Sequence, residues 1–188
     1  SGTTASAIVD ISNIQNVGAF VFDSDAKAYT VNVTGALFFR GTGITNNSAQ
    51  VQTLTSSTSG SNISFFNSAG AGNARFEITD GGNLFFNGSS TAANATGDVD
   101  IAASHTASLG NATITLSGSS AYITLWDTSR GDQARLTLNS GSRLVVTTTA
   151  NTDMGSIAGS GIVSFNSAVQ LAVGGNGEST TFSGSIAG

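Results

Sequence analysis

Few side chains in this sequence can do acid–base or metal chemistry, so their spacing decides what they are good for. Two carboxylate pairs, Asp23/Asp25 and Asp98/Asp100, sit at i and i+2, which would put both members on one face of an extended strand. Paired carboxylates can support glycoside hydrolysis or hold Ca²⁺. Neither pair has a second pair at a repeat distance to complete a metal shell, so both read as solvated surface groups. The single histidine, His105, lies in the polar run Ala103-Ser104-His105-Thr106. A general base needs an orienting partner; the neighbouring sequence names none, and His105 reads as an exposed turn residue. The serines are abundant, but no nucleophile-elbow pattern surrounds any of them. No catalytic residue, metal ligand or cofactor is therefore expected, and the chain is not expected to be an enzyme.

The elements that would have to position such groups follow from composition and period. The chain has 188 residues, of which 39% are apolar and only 9% charged, against about 25% charged in typical soluble domains. Eleven Phe, many Val, Ile and Thr, and no Pro argue against disorder, whose signature is the reverse. They argue for a β-rich fold whose backbone is satisfied by its own ladders. With no Cys, disulfides and thiolate metal sites are excluded. A net charge of −5 with five dispersed Arg excludes a phosphate-binding stripe, so nucleic acid is not an expected partner. No apolar run approaches the length of a membrane-spanning helix, and membrane insertion is not expected. The first residues are Ser1-Gly2 rather than an initiator Met, which suggests processing, or a fragment or repeating unit of a larger assembly.

An internal repeat is present. Phe65-Phe66-Asn67-Ser68 through Ala74-Arg75-Phe76-Glu77-Ile78 aligns without gaps on Leu125-Trp126-Asp127-Thr128 through Ala134-Arg135-Leu136-Thr137-Leu138 at an offset of 60. Inside that offset, turn-like triplets end at Ala74, Ala95, Ala112 and Ala134. Three unequal steps thus separate the first alanine from the last. Sixty is then three turns of a coil of about 20 residues, the length of one β-helix rung. Apolar pairs at i, i+2, such as Ile63/Phe65, Phe76/Ile78, Leu84/Phe86, Ile114/Leu116, Ile123/Leu125, Leu136/Leu138 and Leu144/Val146, point one face of each short strand inward. Turn residues such as Gly141 and the asparagines between them are suited to positive φ. The expected fold is all-β: one right-handed parallel β-helix over residues 1–188, with roughly nine rungs spanning about 45 Å.

Two surface features follow from that fold. In Phe38-Phe39, Phe65-Phe66 and Phe85-Phe86 one ring must face in and its neighbour out, and Tyr122 and Trp126 should share an outward face. Phe66, Phe85, Tyr122 and Trp126 are thus a candidate lateral binding face for glycan or a partner protein, set against the blander option that such rings pack on one another. Asn73, Asn94 and Asn111 recur at equivalent turns, where stacked amides would form a ladder, or where Asn merely tolerates the turn.

The chain resembles the passenger region of bacterial autotransporters and related large surface adhesins with pectin-lyase-like β-helices. The resemblance rests on Ala28-Tyr29-Thr30-Val31 with Gly43-Ile44-Thr45-Asn46-Asn47-Ser48 and Gln52-Thr53-Leu54. It rests also on Phe66-Asn67-Ser68-Ala69-Gly70-Ala71-Gly72-Asn73-Ala74, and on Leu171-Ala172-Val173-Gly174-Gly175-Asn176 with the closing Thr180 to Gly188. It implies the fold, bacterial origin and an extracellular, cell-surface setting. The sequence carries no translocator barrel and no secretion signal, so self-secretion is not carried over.

Related β-helices host pectin-degrading enzymes, whose sites need clustered aspartates, a His and a basic residue in consecutive rungs. Asn151-Thr152-Asp153 matches one such tripeptide without its companions. Gly174-Gly175-Asn176-Gly177-Glu178-Ser179 begins like a calcium-binding nonapeptide, but Ser179 stands where that motif carries Asp and the unit does not recur; it reads as a turn. An ice-binding Thr array is suggested by Thr113/Thr115 and Thr147/Thr149 but is expected to be interrupted by Phe76 and Asp98. Neither Ser1 to Ile8 nor Ser179 to Gly188 reads as a cap over the exposed strand edges of a solenoid. The function expected is a structural rod, part of a surface fibre or stacked end to end, with self-association or a longer parent chain as partner. An adhesin module binding glycan or host protein is the alternative, and a polysaccharide lyase or hydrolase ranks third.

Overall fold

The computed structural model describes residues 7–78, 82–93, 96–98, 101–117 and 121–188. Among them, eight strands form one sheet and nine a second, and every pairing in both is parallel. Parallel neighbours that return once per turn make a coil, and the chain is a β-solenoid. The first sheet runs from Ala7–Ile11 through Tyr29–Val33, Thr53–Ser56, Arg75–Ile78, Thr96–Asp98, Thr113–Leu116 and Arg135–Leu138 to Ser156–Gly159. The second runs from Ile14–Phe22 and Ala36–Asn46 to Ile162–Phe165 and Ser185–Ala187. A third, one-residue-wide ladder links Gly43, Gly70, Thr91, Ser108 and Arg130, and a further parallel pair joins Thr152–Met154 to Leu171–Val173.

The register makes the sequence repeat exact in space. Phe65 pairs with Phe86, Phe86 with Ala103 and Ala103 with Leu125, so three pairings carry Phe65 onto Leu125. The circuits differ in length. That from Ala36 to Asn62 is among the longest, because the chain takes a longer path from Gly43 to Thr53 than it does one coil later from Gly70 to Arg75.

Each inward position becomes a column. One reads Leu37, Ile63, Leu84, Ile101, Ile123, Leu144, Val163, all buried. In the next, Phe39, Phe65 and Phe86 stack with ring centroids 4.7 and 5.1 Å apart and planes within 12°. That separation is the strand spacing itself, so ladder and ring stack impose the same rise. The i, i+2 pairs expected to point inward do so, and Phe39, Phe65 and Phe86 are the inner members of their doublets.

Where the circuit is shortest, from Thr96 to Thr113 and from Leu84 to Ile101, the perimeter shrinks and so must the filling. Gly97 lies in the column between Phe76 and Ile114, and Ala103 between Phe86 and Leu125. Short coil and small core residues are one adjustment.

The corners hold the main difference from the sequence expectation. Positive φ is expected at Gly and Asn of the turns, and Gly141 meets that expectation with φ 88°. The non-glycine residues with positive φ fall instead in two corner columns, which they share with glycines. One is Asn67, Gly88, His105 and Asp127, the other Gly72, Ala93, Gly110 and Asp132, with φ between 48° and 72°. Thus the first residue of each triplet turns left-handed, and Asn73 and Asn111 do not. Backbone position in the coil dictates φ here, so Ala, His and Asp are driven into a region that costs an L-residue about 1–2 kcal/mol. The Thr array is interrupted at Asp98, as expected, which pairs with Thr115 on one side and Glu77 on the other, and at Arg75 in the neighbouring column through Thr96 and Thr113; Phe76 lies in the core instead.

Two stability outcomes follow. Ala93→Gly should raise unfolding free energy by about 1 kcal/mol, because glycine removes the left-handed penalty. Phe65→Ala should lower it by about 3–5 kcal/mol, because the cavity opens in the middle of the ring stack. Urea unfolding followed by circular dichroism measures both.

Candidate functional site

The residues singled out for binding all lie on the outward side of the second sheet, but not together. Phe66 and Trp126 share one column with Asn87 and Ser104 between them. Phe85 lies in the adjacent column, which continues through Ala102 and Thr124. Tyr122 and Trp126 open and nearly close one strand, and both rings are about half exposed. The compact aromatic group was not anticipated. Phe38 and Phe66 meet edge to face at 5.8 Å, and the Arg40 guanidinium lies 4.5 Å from the Phe66 centroid and 5.5 Å from that of Phe38. Arg40 Nε also donates to Asn16 Oδ1 at 2.7 Å. The signal was available: Phe38 and Arg40 are i, i+2, on the same face of one strand.

The Asn ladder is only partly within view. Asn73 and Asn111 are exposed, two coils apart, and Asn94 between them lies outside the described residues. Polar ladders do form elsewhere: Asn32 Nδ2 donates to Asp10 Oδ1 at 2.9 Å, and Thr55 Oγ1 to Asn32 Oδ1 at 3.2 Å.

Of the groups with acid–base potential, His105 acquires neighbours the sequence did not reveal. Asp127 occupies the same corner column one coil on; its Oδ2 accepts the His105 backbone N–H at 3.1 Å and lies 4.0 Å from Nδ1. Ser104 Oγ is 3.2 Å from that same Nδ1 and also donates to Asn87 Oδ1 at 2.8 Å. A triad needs Ser and Asp on opposite ring nitrogens; here both address one. Asp23 and Asp25 fall in an exposed turn rather than on a strand. Asp98 is in a first-sheet strand, and Asp100 lies outside the described residues. Among the described residues, no three His, Asp or Glu side chains converge as a metal set.

Two ionic clusters tie successive coils. Arg130 donates through Nη2 to Asp153 and lies 3.1 Å from Asp132 Oδ1. Asp153 Oδ1 accepts the Asp132 backbone N–H at 2.9 Å, and Ser108 Oγ donates to Asp132. The hydrogen bond to Asp153, then the charges of Asp153 and Asp132, hold the Arg130 pKa above its ordinary value. Asp153 of the Asn151-Thr152-Asp153 tripeptide is thus occupied in a corner, while Thr152 is buried and donates to the Ser129 carbonyl at 2.9 Å.

The second cluster docks the loop after Leu171–Val173. Gly174 to Gly177 closes a turn, with Gly177 N donating to Gly174 O at 3.1 Å. Glu178 then accepts from Arg135 Nε and from Ser156 Oγ at 3.2 Å. Asn176 donates to Ser156 Oγ at 3.1 Å. Between this loop and the first sheet lies an open groove of about 510 Å³ lined by Asn111, Thr113, Gln133, Arg135 and Asn176. The Arg135 hydrogen bond, against a loss of hydration, and then the Arg135 charge hold Glu178 below the usual carboxylate range.

Fold and surface define a parallel β-solenoid protein. No family model, curated protein or solved structure matches the chain. The likeness to autotransporter passengers rests on the sequence motifs alone.

A folded-state pKa below the unfolded value adds stability that is present above the ordinary Glu pKa and lost as pH falls through the lowered one. Acidification through and below the usual Glu range should therefore loosen the 174–180 loop, seen as faster amide exchange at Gly177 and Glu178. Glu178→Gln should show that looseness already at neutral pH.

Proposed function

We propose that the chain is an extracellular structural protein, a rod element of a bacterial surface fibre. The supporting observation is the continuity of the load path. Two sheets run unbroken through the described coils, each strand bonded in register to the next. Buried columns run beneath them, and ionic clusters and polar ladders tie coil to coil on the outside. Such a rod resists extension because a pull along its axis loads a whole row of backbone hydrogen bonds at once. Its sparse charge leaves lateral surfaces of Ser, Thr, Asn and Gly, suited to a hydrated spacer.

A second reading, adhesion through a lateral face, is favoured by the half-exposed rings of Tyr122 and Trp126. The two readings separate on one variant. If the chain is a spacer, Trp126→Ala leaves both unfolding midpoint and glycan-array profile unchanged. Loss of a bound glycan or host protein with an unchanged midpoint moves the function to adhesion. Incubation with polygalacturonate should release no unsaturated uronide, measured by ultraviolet absorbance; release would overturn the rod reading.

A further inference from the structure

Asparagine followed by glycine is a dipeptide prone to react with itself. A glycine has no side chain to shield its backbone nitrogen, which can therefore reach the side-chain amide of the residue before it. The sequence contains two such dipeptides, Asn87-Gly88 and Asn176-Gly177, and the fold treats them differently. Much about them is alike. Both asparagines are half-buried, both glycines have φ 72°, and each Oδ1 accepts a hydrogen bond, from Ser104 Oγ and from Glu178 N respectively. Exposure and backbone conformation therefore do not separate them; their nitrogens do.

At the second dipeptide both nitrogens are engaged. Gly177 N, which would attack, donates to Gly174 O at 3.1 Å, and Asn176 Nδ2, which would leave, donates to Ser156 Oγ at 3.1 Å. The attacking nitrogen must also shed its proton, and the Glu178 carboxylate on the next residue opposes that negative charge. At the first dipeptide, neither Gly88 N nor Asn87 Nδ2 has a hydrogen-bond partner among the described residues, and the residue that follows is the uncharged Ser89. The corner around them is nonetheless held. Asn87 N donates to Phe65 O at 2.9 Å, and Gly88 O accepts from Thr106 N at 2.9 Å. Ser104 on the next coil donates through Oγ to Asn87 Oδ1 at 2.8 Å, which places a donor where negative charge gathers once the amide carbon becomes tetrahedral.

We propose that Asn87 is a self-modification site, at which the folded chain deamidates itself with water as the co-reactant. The Gly88 nitrogen gives its proton to solvent and bonds to Asn87 Cγ, and the Ser104 hydroxyl stabilises the oxyanion that forms at Oδ1. The bond from Cγ to Nδ2 then breaks, and ammonia leaves with a proton taken from solvent. Water adds to either carbonyl of the resulting succinimide ring and opens it, leaving aspartate or isoaspartate at position 87. Overall, water is consumed and ammonia released. Either product adds a carboxylate to a surface with little charge, and the isoaspartyl product also lengthens the main chain at a stacked corner. The site goes beyond the rod reading and does not depend on it.

Two dipeptides in one chain supply their own control. Folded and guanidinium-unfolded protein are held at mildly alkaline pH, and each position is followed by peptide mass spectrometry with isoaspartyl methyltransferase labelling. The ratio of the rate at position 87 to that at position 176 should rise several-fold on folding. A ratio no higher in the folded chain than in the unfolded one overturns the assignment. Ser104→Ala should slow position 87 by roughly tenfold, less than an enclosed oxyanion donor gives, while the circular dichroism and the rate at position 176 stay unchanged. Ser104→Thr keeps the hydroxyl and should keep the rate. If position 87 is indifferent to Ser104→Ala, or is slowed as much by Ser104→Thr, the stabilising role of the hydroxyl is overturned. The comparison of the two positions in the unaltered chain needs no variant, so it decides the site even if Ser104→Ala does not fold.

Discussion

Parallel backbone pairing is the constraint on which everything else depends. Each strand bonds to the strand one turn earlier and one turn later, so the chain must return to the same lateral address after every circuit. Side-chain direction alternates along a strand, and a shared address therefore fixes which residues face in. The buried columns, the ring stack of Phe39, Phe65 and Phe86, and the paired rows outside are all consequences of that return. Even the corners obey it: among the described residues, the left-handed Asn67, Ala93, His105, Asp127 and Asp132 all fall into two columns, whatever their type.

The polar chemistry of the surface is subordinate to the same rule. Arg130, Asp132 and Asp153 meet because consecutive coils stack their corners, and Asp153 satisfies a backbone N–H as well as a guanidinium. His105 has Asp127 beside it for the same reason. A reader looking for catalysis finds a Ser, a His and an Asp within a few ångströms, yet the arrangement is set by the ladder, and Ser104 and Asp127 crowd one ring nitrogen. Stacking brings like positions together and so produces clusters without selecting them for reactivity.

Much of the fold was legible in the sequence because its information is periodic. The i, i+2 apolar pairs give the inward face, and the offset of 60 gives the coil, since a gapless match of that length survives only if the three intervening turns sum to it. The pairs Ile63/Phe65 and Leu84/Phe86 also mark which ring of each Phe doublet is buried. What stayed hidden depends on position rather than residue type. Ala93 carries no sign of positive φ, because alanine is not a residue that turns prefer. Asp153 and Arg130 are far apart in sequence, and only the register brings them together. The Phe38, Phe66 and Arg40 group spans two strands and needed the pairing of Phe39 with Phe65.

Because each coil touches only its neighbours, the gene can change the protein's length without changing its cross-section. Loss or duplication of the DNA between two equivalent column addresses, for example Leu84 and Ile101 or Ile123 and Leu144, would remove or add one full circuit and leave every remaining residue facing as before. A solenoid of this construction changes its length in whole coils, each about 4.8 Å of reach.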